Sequence, residues 1–236
     1  MKVAGSSLES ALSAVCGPED LITGPSKDDL GLAHKSFTSQ NNTDQAGLIK
    51  FKSHTCPEEL FSATMSPWPG FFTISCVRNP WDLCASYYWW SVQKLFIDKG
   101  IDPRSVSWGS SAGNLNALIT SDDCPAAICE KFRAFLFSPW HEASPGKFLN
   151  CIDFISSESE KFVHDRIDYY IRFENLQQDF LNLSRILGYE LPSIPVLKSG
   201  YRNKKISCQD YYDQETYQIV RDKFPSFVRL GYDLQG

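Results

Sequence analysis

The sequence of 236 residues contains no run of about 18 apolar residues, so it offers no transmembrane helix. Its start, MKVAGSSLES, lacks a cationic stretch followed by an apolar one and does not read as a secretory leader. Positive charge is not in surplus. Lys and Arg number 23 against 28 Asp and Glu, a formal net charge of −5, which disfavours broad nucleic-acid binding. One small anion can still be held in a local pocket, because nearby groups set the field there. None of the eight cysteines forms C-x-x-C, and several lie in apolar runs. They read as buried, reduced thiols in a cytoplasmic protein, with neither a zinc site nor a disulfide framework. No metal-ligand cluster stands out, and no internal repeat or low-complexity tract occurs.

What is present is an ordinary globular composition, 42% apolar and 22% charged, with aromatics raised to 14%. The length suits one α/β-sized domain over residues 1–236. Residues 23–47 and 100–125 are rich in loop-forming types and read as surface or substrate-covering segments. Leu8, Ala11, Leu12 and Val15 recur at helical spacing, and Ser6 with Glu9 fits a capping box that starts a helix at Ser6 or Ser7. The run Phe71–Val77 predicts a strand covered on both faces. Asn79 and Pro80 then predict the cap and first position of a helix running towards Lys99. Residues 125–137 predict another helix, residues 167–173 a strand, residues 174–187 a helix closed by Gly188, and residues 214–224 a last helix. Strand-to-helix alternation argues for a parallel sheet flanked by helices.

Two stretches carry anion chemistry. In the first, Lys2, Val3, Ala4, Gly5, Ser6 and Ser7 lead straight into a helix. Backbone N–H groups and the helix dipole favour an anion there, glycine lets the backbone come close, and Lys2 adds charge. The alternative is an ordinary capped chain end. In the second, Arg78 follows the buried strand and precedes Asn79-Pro80-Trp81-Asp82, with Ser86 eight residues on. Ligands of open α/β sheets bind at carboxyl strand ends, and a guanidinium matches a phosphate. Here the alternative is a surface arginine paired with Asp82. A basic loop, Tyr201-Arg202-Asn203-Lys204-Lys205, also reads as a solvated charge run.

In order along residues 2–232, these segments resemble the sulfotransferases that use 3′-phosphoadenosine-5′-phosphosulfate. Lys2–Ser7 is similar to their 5′-phosphosulfate loop, and Val77–Asp82 through Ser86 to their 3′-phosphate segment. Tyr170–Leu176 with Asp179-Phe180 is similar to a later strand–helix segment. Tyr211–Asp213 through Tyr232 is similar to the carboxyl-terminal part of the carbohydrate-type and related bacterial members. The resemblance implies a P-loop-like α/β fold and that sulfuryl donor, with no metal. It gives Lys2, Val3, Ala4, Gly5, Ser6 and Ser7 the phosphosulfate, and Arg78 and Ser86 the 3′-phosphate. The match at Tyr201, Arg202 and Lys204 is looser, and there it implies a further nucleotide contact. In the family an apolar strand precedes the lysine. Only Met1 does so here, so a fold without the usual first strand is among the expectations.

A sulfuryl acceptor must lose a proton as it attacks, which suits a base with a pKa near neutrality. His54 stands before a turn, where related enzymes often carry a histidine, and is the expected base; His34 and Glu58 are the runners-up. Lys2 is the second expected catalytic residue. The aromatic run Tyr87-Tyr88-Trp89-Trp90 covers every face of a helix, so it splits between core and cleft. The expected activity is sulfuryl transfer to a hydroxyl or amine of a small-molecule or carbohydrate acceptor, with no nucleic-acid or membrane partner. A P-loop kinase and a non-catalytic nucleotide-binding relative are the alternatives. The kinase would need a lysine after the last loop glycine and a magnesium-holding carboxylate after an apolar strand, and the sequence has neither.

Overall fold

The computed structural model describes residues 5–12 (Ser6 by its backbone), 14–15, 56, 58, 72–93, 100, 102, 118–139, 149–195, 202 and 205–234. In chain order the elements are α1 (Gly5–Leu12), β1 (Ile74–Val77), α2 (Pro80–Ser91), α3 (Pro125–Phe137), α4 (Cys151–Glu160), β2 (Tyr169–Arg172), α5 (Leu176–Leu187), α6 (Gln214–Lys223) and α7 (Pro225–Arg229). Short 3-10 turns cover Phe173–Asn175 and Gln209–Tyr211. The chain forms two compact units, one from Val3–Arg78 with Lys161–Leu197, the other from Asn79–Glu160 with Lys198–Gly236.

In the first unit β1 and β2 pair in parallel, from Ile74 beside Tyr169 to Val77 beside Arg172. The pairing is locked at its entrance, where the Thr73 N–H donates to the Asp168 carboxylate at 2.7 Å and the Asp168 N–H donates back to the Thr73 carbonyl at 3.0 Å. At the other end the Arg172 N–H donates to the Asp179 carboxylate at 2.7 Å, tying α5 to the strand it follows. Leu8 and Ala11 of α1, Ile171 of β2, Phe180 and Leu183 of α5, and Ile194 form one apolar cluster, with Ile74 and Cys76 packed on it. Gly188, in the left-handed conformation at φ 70°, ends α5, as a residue without a Cβ can do at no steric cost.

The second unit is helical. α2 packs against α3, α4 and α6, and α4 also packs against α3 and α6. Asn79 caps α2, accepting from the Trp81 N–H at 3.0 Å, while its own amide donates to the Asp233 carbonyl at 2.5 Å. Tyr87, Tyr88 and Trp89 are buried and Trp90 is half-buried, so three of the four aromatics belong to the core. Tyr88 meets Phe132 and Phe135 edge to face, and its hydroxyl accepts from the Ile119 N–H at 2.7 Å.

The parallel pairing and the flanking helices agree with an α/β reading, and α3 matches its expected span. The strands are shorter than expected, and β1 is half-covered on Ile74, Ser75 and Cys76, with Val77 buried. α1 begins at Gly5, which puts Ser6 and Ser7 in its first turn rather than ahead of it. A 3-10 turn, not an α-helix, covers Phe173–Asn175. Helix α4 was not expected from its sequence, rich in Ser and acidic residues. Seven described cysteines are free thiols; Cys56, Cys84 and Cys151 are buried, but Cys124 is exposed just ahead of α3, where its side chain makes no cap. Among the described residues no helix is long and apolar enough to cross a membrane.

Candidate functional site: an arginine at a strand end

The first unit holds Arg78 and the start of α1. At the carboxyl end of β1, Arg78 is only 8% exposed. Its guanidinium carbon lies 4.0 Å from the centre of the Phe173 ring, in the turn that follows β2. Because the strands run parallel, Val77 and Arg172 are register partners. The residues that follow them therefore emerge side by side, and this is how the ring comes beneath the guanidinium. A guanidinium stacked on an aromatic face keeps its N–H edge in a fixed plane, a geometry suited to two phosphate oxygens. The charge reaches the strand as well. Burial pushes the Cys76 thiol far up, the Glu174 carboxylate adds to that, and Arg78 opposes it.

The other motif opens α1. Gly5 is the first helical residue, and a Cβ built on it would meet no heavy atom within 4 Å among the described residues. Among the described residues, then, nothing crowds this position against a larger side chain. Ser7 is 4% exposed, on the side of α1 that carries the buried Leu8 and Ala11. Lys2, Val3, Ala4 and the side chain of Ser6 lie outside the described residues, as do His54 and His34. Glu58 is exposed.

In the second unit, Ser86 is half-buried on α2, one turn after Asp82. Asp82 forms an ion pair with Arg202, a partner 120 residues along the chain. Arg202 is thus not part of a merely solvated run. Its guanidinium also lies 5.5 Å from the centre of the Tyr211 ring, whose hydroxyl accepts from the Trp89 indole N–H at 2.8 Å. Burial works against the charge on Arg202, and Asp82, Cys208 and Tyr211 together more than restore it. Tyr201 and Lys204 lie outside the described residues.

Sequence reasoning missed Phe173 as the ring under Arg78 and Asp82 as the partner of Arg202. Neither had a local signal; the pairing of β1 with β2 brings Phe173 to Arg78 across 95 residues of sequence. The described His164 is turned to structural use, its Nδ1 accepting from the Arg166 N–H at 3.0 Å. Among the described residues no group of three His, Cys, Asp or Glu side chains could hold a metal ion. No family model, curated protein or solved structure matches the chain.

Proposed function

We propose that the chain is a sulfotransferase that moves a sulfuryl group from 3′-phosphoadenosine-5′-phosphosulfate to a hydroxyl or amine of a small-molecule or carbohydrate acceptor. The observation that carries the reading is Arg78: a guanidinium at the carboxyl end of a parallel strand, buried and stacked on Phe173. A guanidinium held over a ring presents a planar N–H fork, and that shape suits two oxygens of a phosphate. The sequence resemblance supplies the identity of that partner.

In this reading Arg78 takes the 3′-phosphate, with Ser86 as a second donor. Lys2, Gly5, Ser6 and Ser7 take the phosphosulfate. The acceptor oxygen or nitrogen attacks sulfur, the bond from sulfur to the 5′-phosphate oxygen breaks, and the acceptor proton passes to His54. Charge grows on the departing phosphate, and N–H donors at the start of α1 together with Lys2 stabilise it there. The contacts to the 3′-phosphate are remote from the reacting sulfur, so their binding energy positions the donor.

Thermal denaturation with adenosine 3′,5′-bisphosphate tests the donor site. A ligand at 100 times its Kd adds about 2.7 kcal/mol, so a clear rise in Tm is expected. Transfer of labelled sulfuryl to an acceptor panel then tests the reaction. No Tm shift would remove the reading, whereas a shift without transfer would favour the non-catalytic relative.

A further inference from the structure

Asp82 stands in the first turn of α2, where helix geometry favours an acid with no further partner. Yet its carboxylate is spent on Arg202, in an ion pair whose side chains are only 21% and 25% exposed. Arg202 is gripped from a second direction by Tyr211, itself tied to α2 through Trp89. Two contacts to one helix, at Asp82 and through Trp89 about two turns on, fix where the guanidinium stands. Residues four apart share a helix face, so Ser86 lies on the same side of α2 as Asp82. A carboxylate has thus drawn the arginine to the face that carries the serine. An Arg–carboxylate pair uses one side of the guanidinium and leaves its other N–H vectors directed elsewhere.

We propose that Asp82 is a positioning residue: it holds Arg202 on the Ser86 face of α2, where Arg202 and Ser86 together receive the 3′-phosphate of the nucleotide. The inference rests on the sulfotransferase reading and adds to it the residue that organises this subsite. It also predicts a sign. A carboxylate close to a phosphate repels it, and removing that carboxylate should tighten binding if Asp82 only neutralises Arg202. If Asp82 positions Arg202, its removal weakens binding instead.

The experiment compares binding of adenosine 3′,5′-bisphosphate and adenosine 5′-monophosphate, by calorimetry, to the wild-type chain and to Asp82→Asn, Asp82→Glu and Arg202→Gln. The expected result is that Asp82→Asn and Arg202→Gln each bind the bisphosphate about 10- to 100-fold more weakly, the range of one lost charged hydrogen bond. Their affinity for the monophosphate should be unchanged, Asp82→Glu should recover most of the loss, and the double variant should be no worse than either single one. Loss of both nucleotides alike would mean a structural role and overturn the proposal, as would unchanged or tighter bisphosphate binding in Asp82→Asn. A fold check by circular dichroism accompanies each variant, and Arg202→Lys, which keeps the charge without the planar fork, replaces any that does not fold. Wild-type binding of neither nucleotide would instead overturn the sulfotransferase reading itself.

Discussion

Arg78 meets two demands that usually conflict, since it is buried and it is charged. Phe173 reconciles them in part, because a ring face attracts a cation without neutralising it. Two substitutions separate these roles. Arg78→Ala should raise the KM for the sulfuryl donor while leaving kcat little changed, since its proposed phosphate is remote from sulfur. Phe173→Leu should give a smaller rise in the same constant, on the order of 3- to 30-fold from the about 0.5–2 kcal/mol that a cation–ring contact supplies. Steady-state kinetics with varied donor checks both. An unchanged KM in Arg78→Ala would remove that residue from the site. The arginine was readable from its place after an apolar run and before Asn-Pro. Its ring was not, because a contact across 95 residues leaves no mark in local spacing.

At the scale of elements, the local rules held where a single residue has one dominant preference. Asn79 caps α2, Pro80 opens it, and Gly188 closes α5. Asn79→Ala loses the cap and the amide bond to the Asp233 carbonyl, and should cost about 0.5–2 kcal/mol for the cap alone, measured by denaturant unfolding. The start of α3 carries a titratable counterpart. Burial pushes the Asp123 carboxyl up, but hydrogen bonds from Lys131 and Thr120 outweigh it and hold the group below its ordinary 3.8. A carboxylate depressed in the fold stabilises it above the unfolded value and loses that contribution as pH falls through the folded one. Wild type should therefore lose stability as pH drops below about 3.8, and Asp123→Asn should lose less over the same interval, by thermal denaturation at stepped pH. Local rules failed at α4, where CIDFISSESE looks polar. Asn150 does offer the start signal, accepting from the Asp153 N–H at 2.9 Å, and Ser156 and Ser159 turn their hydroxyls onto backbone carbonyls, which lets serines lie on the buried face. A period count that scores serine as polar misses that face.

At the scale of the molecule, each unit is closed by segments far apart in sequence, Val3–Arg78 with Lys161–Leu197 and Asn79–Glu160 with Lys198–Gly236. The thiols are distributed through both and have no disulfide role among the described residues. Burial pushes Cys151 up to about 11 and Cys84 well above its ordinary range, so these thiols stay protonated and unreactive. Tm should accordingly be the same with and without reductant, and a fall on reduction would contradict the free-thiol state. The sequence by itself determined the composition class, the strand that precedes Arg78, the cap of α2, the stop of α5 and the span of α3. All of these depend on neighbours within about four residues, where one side chain's conformational preference dominates. Only the tertiary structure decided that Phe173 lies under Arg78, that Asp82 takes Arg202, and that α2 buries three adjacent aromatics. Those outcomes follow from which surfaces are left to pack once the elements exist, and long-range packing energies outweigh the small local preferences that a sequence displays.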